Sequence, residues 1–526
     1  MSQQLEQWIK KPLEAIDILF GELQGQKGWT TKILEKVNEC FHSDTLLEQV
    51  PCIPETPLHE LQDGQLVRFR CQVQDQYEPE YFIGNYAARN KNGELEKHTS
   101  FYRETIDQTV EAEFDAASSE NLAQRSVCYC ISLPGQQPWV SQTLLSQTRN
   151  RAFNGALDVS CSSSGSCKRT LDDETDQMET DHLSATDLNE EDSCPMEDTR
   201  EPAAKLPPSL VPRVHCLQHR PLAHTNPLLP VIDPLPSWSA DAWGEPQFIF
   251  YFSVHKKNMD MNVHGQFPLN ISGITPELAS AGFTRRLYSL LQRLSTHAVM
   301  LPLTIDNLNK MPVVPKKDYS SNELRSGLLQ LPRHTLLCVD ETVMQAGQLD
   351  ATGVRNLEQI GNVISNQQCK YDFQFHHIEM PTNINVLVLS EGKSLLPSES
   401  EVVLRPAHDD VDKAFTSVES KLTEEVLESL RKYITLARLA DYRMPSHIQE
   451  FLQDEFVKAR ERNKEAMSPE RFHSLQVLSR LLCKSCGELE LTPEIWHSAT
   501  VLDDKRAERI TALQRPAARI SAPAFR

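Results

Sequence analysis

Two periodicities alternate along this chain of 526 residues. Over residues 1 to about 45 the apolar positions recur at helical spacing, Leu5, Trp8, Ile9, Leu13 and Ile16 before Gly21, then Ile33, Leu34, Val37 and Phe41 after Trp29. Each run predicts a short helix with one apolar face. Leu5, Trp8 and Ile9 are read as packing on their own sheet, the alternative being an exposed anchor. From about residue 60 the period drops to two: in LVRFRCQVQD, Val67, Phe69, Cys71 and Val73 face one side, and Arg68, Arg70, Gln72 and Gln74 the other. That pattern predicts a half-buried strand. Tyr81-Phe82-Ile83 and Val127 to Ile131 repeat it, and Pro134-Gly135 supplies a turn before Trp139.

Near residue 145 the apolar pattern stops, and an acidic stretch almost without aromatic or β-branched residues follows. It cannot bury enough apolar surface to fold and reads as a disordered tether between folded parts. Residues 206 to about 266 are proline-rich and irregular, with QFIFYFSVHKKNMDM strand-like. Order returns beyond Phe267: FPLNISG predicts a strand and turn, FTRRLYSLLQRLSTHA a helix, and SGLLQLPRHTLLCVDET a helix or hairpin leading into a buried strand. NINVLVLS is a second strand of continuous apolar character, as in a parallel sheet covered on both faces.

The final stretch predicts a helical series. Leu422, Val426, Leu430, Tyr433, Ile434 and Ala437 form a stripe that ends before Met444-Pro445. Ser446 with Gln449 suggests a capping box for a second helix through Ile448, Phe451, Leu452 and Phe456. Ser468-Pro469 caps a third, which runs through Phe472, Leu475, Leu478 and Leu482 to a stop at Gly487. Thr492-Pro493 opens a fourth.

Charge narrows the chemistry. Acidic residues outnumber basic ones by 73 to 53, a formal net charge of -20, which opposes unaided binding to a polyphosphate. A protein or basic partner fits better, although RLYSLLQR and the C-terminal RITALQRPAARISAPAFR are local basic pieces. No apolar run approaches the roughly 20 residues of a membrane span, and the N-terminus lacks a signal peptide's apolar stretch. The 13 cysteines are scattered, so reduced thiols inside the cell are expected. The one CxxC, Cys483 to Cys486, reads as buried helix thiols rather than a zinc site, and no cofactor or metal is expected.

One constellation carries chemistry. A P-loop ATPase needs an Asp and a neighbouring acid at the end of a buried strand, for magnesium and for the attacking water. Leu336 to Glu341 has that form, with Asp340 and Glu341 as the Walker-B-like pair. Alone it is a weak signal; a later buried strand and a capped helical series strengthen it. The companion phosphate loop, GxxxxGK[ST], is missing. Gly392-Lys393-Ser394 is the nearest match, but Leu387 stands where the first glycine belongs and the tripeptide follows the acidic strand, so it reads as a surface turn. The pattern therefore predicts no catalytic residue and no ATP hydrolysis.

SGLLQLPRHTLLCVDET resembles the segment of MCM helicases that ends in their Walker B acids, and LRKYITLARL, FLQDEF and SPERFHSLQVLSRLL resemble the MCM lid helices. TPLHELQDGQLVRFRCQVQDQYEPEYFIGNY, LPPSLVPRVH, NPLLP, KDYSSNELRSGLLQLP, VDETVMQAGQLD and NINVLVLSEGKSLLP resemble the MCM complex-binding protein family. The resemblance implies a nuclear partner of MCM subunits, reaching chromatin indirectly. Its implied role is to regulate assembly or unloading of that helicase and to support sister chromatid cohesion. In MCM lids an arginine near the start of the third helix reaches the nucleotide; here Glu470 takes that position and Arg471 is one residue away. Ser390-Glu391 stands where the sensor asparagine belongs. Two central segments of the family are missing, and residues 231 to 262 match nothing recognisable in it. With those segments gone, the AAA+-like sheet should be incomplete and expose an unpaired edge.

The expected fold class is multidomain, α/β and α+β. It comprises an N-terminal mixed α+β domain (1–145), an acidic disordered linker (146–206), an irregular Pro-rich segment (207–266), a degenerate AAA+-like core (267–410), a helical lid (411–510) and a disordered basic tail (511–526). The expected function is non-catalytic binding of MCM subunits by mimicry of one of them. The alternatives are an ATP-dependent remodeller using Asp340 and Glu341 in a composite site, and a direct DNA binder.

Overall fold

The computed structural model describes residues 7–23, 29–41, 50–53, 55–89, 95–104, 112–113, 122–144, 146, 212–219, 225–229, 256–257, 263–398, 400–405, 410–440, 442–463 and 467–514. Residues 147–206 of the acidic linker, most of the Pro-rich segment and residues 515–526 of the basic tail lie outside them.

Both N-terminal helices form: α1 is Pro12–Leu23 and α2 is Trp29–Cys40. Trp8, Ile16, Ile33, Val37, Phe41 and Val50 bury one cluster between them, and Trp29 meets Phe20 and Phe101 edge-on. Trp8 is therefore a packing residue and not an exposed anchor, with 5% of its surface accessible. Small sheets follow. β1 (Cys52–Ile53) runs parallel to β2 (Arg68–Phe69), and β3 (Cys71–Gln76) pairs antiparallel with β9 (Cys128–Ser132). β4 (Glu80–Ile83) pairs with β8 (Leu122–Arg125), and β5 (Asn85–Arg89) lies between β6 (Leu95–Thr99) and β7 (Ala112–Glu113).

The predicted inward face of β3 is reversed at its end: Val73 is 58% exposed and Gln74 only 5%. The ladder with β9 shifts register between Val73 and Asp75, and one extra residue turns the side chains over. The reversal aims Gln74 and Asp75 at the C-terminal half. Gln74 Nε2 donates to the Leu324 carbonyl (3.1 Å), and Asp75 Oδ2 accepts from the Leu324 amide (2.6 Å).

After the short β10 (Lys256–Lys257) and β11 (Val263–His264), a parallel sheet is built from β12 (Leu269–Ser272), β13 (Ala298–Pro302), β16 (Leu336–Asp340), β19 (Asn385–Leu389) and β20 (Ser400–Val403). Its order is β13-β16-β19-β12-β20, and each strand is hydrogen-bonded to the next. Its two outer strands, β13 and β20, each pair on one side only among the described residues. The continuous apolar runs of β16 and β19 are explained by cover on both sides. Leu336, Cys338, Leu387 and Leu389 pack towards α3 (Pro276–Ser280) and α4 (Phe283–Leu294). Leu337, Val339, Val386 and Val388 pack towards α5 (Ile305–Lys310) and α6 (Ala351–Asn366). A second sheet, β15 (Glu323–Arg325), β14 (Lys316–Asp318), β17 (Gln368–Asp372) and β18 (His377–Pro381) in that order, stands beside it.

SGLLQLP forms neither the helix nor the hairpin expected. Its amides at Leu328 and Leu329 donate to Pro312 and Val313, and Gly327 sits so close to the Val314–Pro315 backbone that a Cβ would lie 2.2 Å from the Val314 carbonyl carbon.

The helical series comprises α7 (Val411–Glu419), α8 (Glu424–Leu439), α9 (Ser446–Arg462), α10 (Pro469–Ser485) and α11 (Pro493–Gln514). Ser468 accepts from the Arg471 amide at 3.2 Å, and Gly487, at φ 76°, ends α10, both as the sequence implies. Ser446 does not cap α9; Pro445 holds the N-cap and makes no side-chain bond there. The two halves meet at Trp139. Its indole N–H donates to the Ser295 carbonyl (2.9 Å), and the Arg431 guanidinium of α8 lies 4.4 Å from its ring centre.

Candidate functional site

The carboxyl ends of parallel strands are where an open α/β sheet presents ligand-binding loops. Here those ends carry Asp340 as the last residue of β16 with Glu341 after it, Ser390 after β19, and Gly273-Ile274-Thr275 after β12. Asp340 is 2% exposed, and its Oδ1 accepts from both the amide and the hydroxyl of Thr342 (3.0 and 2.6 Å). This local turn folds the carboxylate back onto its own chain.

Glu341 points elsewhere. Its Oε1 accepts from the Ser394 hydroxyl (2.8 Å) and its Oε2 from the Leu395 amide (3.2 Å). Burial raises the Glu341 carboxyl above the usual range, against the lowering effect of the Ser394, Leu395 and Leu396 donors. The Gly392-Lys393-Ser394 turn thus holds the second acid in place.

The amides that would face a phosphate are engaged as well. Gly273 N donates to the Glu391 carbonyl (3.1 Å) and Ile274 N to the Ser390 carbonyl (3.2 Å). Ser390 Oγ bonds Asn270 Oδ1 (2.9 Å) and the Gly392 carbonyl (2.8 Å). Thr275 Oγ1 caps α3 by accepting from Leu278 N at 3.4 Å. A phosphate cradle needs unpaired amides converging on one point, and these donors are taken by the neighbouring loop.

Glu470 lies exposed in the first turn of α10, where its own amide and the Ser468 hydroxyl hold its carboxyl below the usual range. Arg471 Nε bonds Asp503 Oδ2 and its Nη2 bonds Asp504 Oδ1, both at 2.7 Å. Burial works against the Arg471 charge, but these two aspartates of α11 outweigh it and raise its pKa. The arginine beside Glu470 is therefore tied to a neighbouring helix. Cys483 is buried and bonds the Glu488 and Glu490 carbonyls, and no cluster of three metal-ligating side chains occurs among the described residues.

Sequence reasoning placed Asp340 and Glu341 correctly at a strand end. It missed Asn270, Thr342 and Ser394, whose partners are fixed by loop conformation. A cavity of about 270 Å³ lies elsewhere, in the N-terminal half, lined by Glu55, Arg70, Ser132, Leu133, Gly135, Gln136 and Ser141.

The family model described as mini-chromosome maintenance replisome factor matches residues 37–201, 181–249 and 248–510. The chain belongs to this family. Members similar to it include proteins named mini-chromosome maintenance complex-binding protein. The one from Danio rerio is 28% identical over 617 residues, covering 95% of this chain and 97% of the relative. That of Homo sapiens is 28% identical over 637 residues (96% and 98%), and that of Drosophila melanogaster 28% over 580 (90% and 94%). These alignments are longer than the chain, so the relatives carry stretches for which it has no counterpart, as the missing segments imply. The family match runs through residues 231 to 262, which corrects the expectation that this stretch is foreign to the family.

Proposed function

We propose that this chain is a non-catalytic partner of MCM helicase subunits in DNA replication. It acts in the nucleus, controls assembly of that helicase or its unloading from chromatin, and supports sister chromatid cohesion. Family membership over most of the chain, and relatives named for binding the MCM complex, support the binding role. The acidic strand β16 beside β19, followed by a helical lid, supports an AAA+-like outline that imitates a helicase subunit.

One observation carries the non-catalytic part: the loops after β12 and β19 are joined by main-chain hydrogen bonds where a nucleotide's phosphates would need free amides. A subunit mimic competes for a surface without chemistry. Chromatin is reached through the helicase, and the net charge of -20 supports the absence of strong direct nucleic-acid binding.

The test uses the purified full chain. Each MCM subunit, expressed singly, is offered to it with and without ATP, and turnover is measured in parallel. Retention of at least one subunit, independent of nucleotide and without hydrolysis, is the expected result. Hydrolysis by the chain alone, or retention of none, would sink the proposal.

A further inference from the structure

The β17–β18 hairpin leaves one edge of the second sheet open. β18 is the last strand of its sheet, and its five residues are all exposed. The hydrogen-bond alternation can be read from its ends, where Thr382 N donates to Gln367 O (2.8 Å) and Phe373 N to His376 O (3.0 Å). In this register Cys369–Met380 and Tyr371–Ile378 are the bonded pairs. The amides and carbonyls of His377 and Glu379 therefore point outward, and no strand among the described residues pairs with that side.

The side chains restrict what could pair there. On one face Lys370 Nζ is 3.9 Å from Glu379 Oε1 and His377 Nδ1 is 3.7 Å from Asp372 Oδ1, so the polar groups answer each other across the hairpin. The other face carries Ile378 and Met380, 41% and 44% exposed, and the tip carries Phe375 at 85%. Folded proteins blunt a bare edge with unpaired lysine, an inward charge or a bulge. Along Ile378 to Met380 this edge carries no lysine, no proline and no bulge, and Pro381 closes its end. A phosphate backbone would find its one lysine already opposite a carboxylate, whereas an extended polypeptide would find free main-chain groups flanked by apolar side chains.

We propose that β18 is a docking edge for an extended segment of a protein partner, added as a further strand, with alternate apolar residues meeting Ile378 and Met380 and with Phe375 inserted into the partner. Under the reading above, on which this assignment rests, that partner is an MCM subunit.

Glu379→Pro is the direct test. It deletes an outward amide and places a ring in the path of an incoming strand, yet leaves the hairpin's own ladder intact, because edge strands tolerate proline where the N–H faces out. In the full chain, Glu379→Pro and Phe375→Ser should each weaken retention of the subunit by about tenfold or more, and Glu379→Gln should change it little. Melting temperatures near that of the unchanged chain verify folding, and Phe375→Ser serves alone if the proline variant unfolds. Unaltered binding by both variants would overturn the edge assignment while leaving the functional reading standing. An unchanged chain that retains no subunit would sink both. Self-association or duplex DNA binding that the variants abolish, with subunit binding intact, would assign the edge to a second copy or to nucleic acid and overturn the proposal.

Discussion

Replacing Trp139 tests whether the N-terminal half holds the lid. The indole is 8% exposed and packs with Val140, Leu228 and Leu144. Its N–H fills the Ser295 carbonyl at the end of α4, and its face receives Arg431, itself 6% exposed and bonded through Nε to the Arg293 carbonyl (2.8 Å). Truncating a buried tryptophan to alanine costs about 3–5 kcal/mol in lost transfer energy and residual cavity. A desolvated cation–π contact adds about 1–2 kcal/mol, and the terms overlap, so Trp139→Ala should cost about 5 kcal/mol. Trp139→Phe keeps most of the ring and loses the donor, and should cost about 1–2 kcal/mol. A chain of several units need not unfold in one step, so the informative assay is hydrogen exchange resolved by segment. Protection should fall in α8 and in residues 225–229, where Asn226 Nδ2 bonds Thr435 Oγ1 (2.7 Å), as well as around residue 139. Loss confined to residues 122–144, with α8 unchanged, would refute the idea that this contact holds the lid.

Three further outcomes are expected. Burial, and behind it the Arg70 charge, push His297 from 6.5 down to about 4. Its folded pKa lies below the unfolded one, so its neutral form contributes full stability above pH 6.5. That contribution declines as pH falls towards 4, by about 3 kcal/mol across the window, and His297→Asn should flatten the dependence in denaturant titrations. Glu341→Gln should leave MCM subunit retention unchanged, because Ser394 and Leu395 engage that carboxylate; lost function in a folded variant would revive the composite-site reading. Arg471→Ala should lower stability by about 2 kcal/mol, since Asp503 keeps Arg506 as a partner, and Glu470→Ala should melt near the unchanged chain.

Much of the α/β half was legible because full burial writes a plain pattern. β16 and β19 are covered on both faces, so Leu336 to Val339 and Val386 to Leu389 are all apolar until Asp340 ends one strand and Ser390 follows the other. Helix starts were legible where hydroxyl and proline combine, at Ser468-Pro469, and misleading at Ser446, where Pro445 already sets the entry backbone. β3 was misread past Cys71 because a bulge has no periodicity to reveal it, and Gln74 is buried by its bond to a residue 250 positions away. The fate of the acidic pair was equally hidden. Glu341 is held by Ser394, 53 residues on, and spacing alone cannot distinguish a carboxylate kept for magnesium from one kept for a loop.

In the reading proposed above, that substitution of partners lets a strand end keep its acids without a phosphate loop. A buried carboxylate without cation or donor is costly, so the acids persist only where something satisfies them. Thr342 does so for Asp340, and the Gly392-to-Leu395 turn for Glu341. Both sets of donors are built into the fold and present at all times, whereas a bound nucleotide comes and goes. In the reading proposed above, a lid that no nucleotide positions must be held otherwise, and Trp139 with Arg431 and Thr435 with Asn226 connect it to the rest of the chain. A partner would then meet one fixed surface rather than a cycling one, and its retention should be the same in ATP, in ADP and in neither.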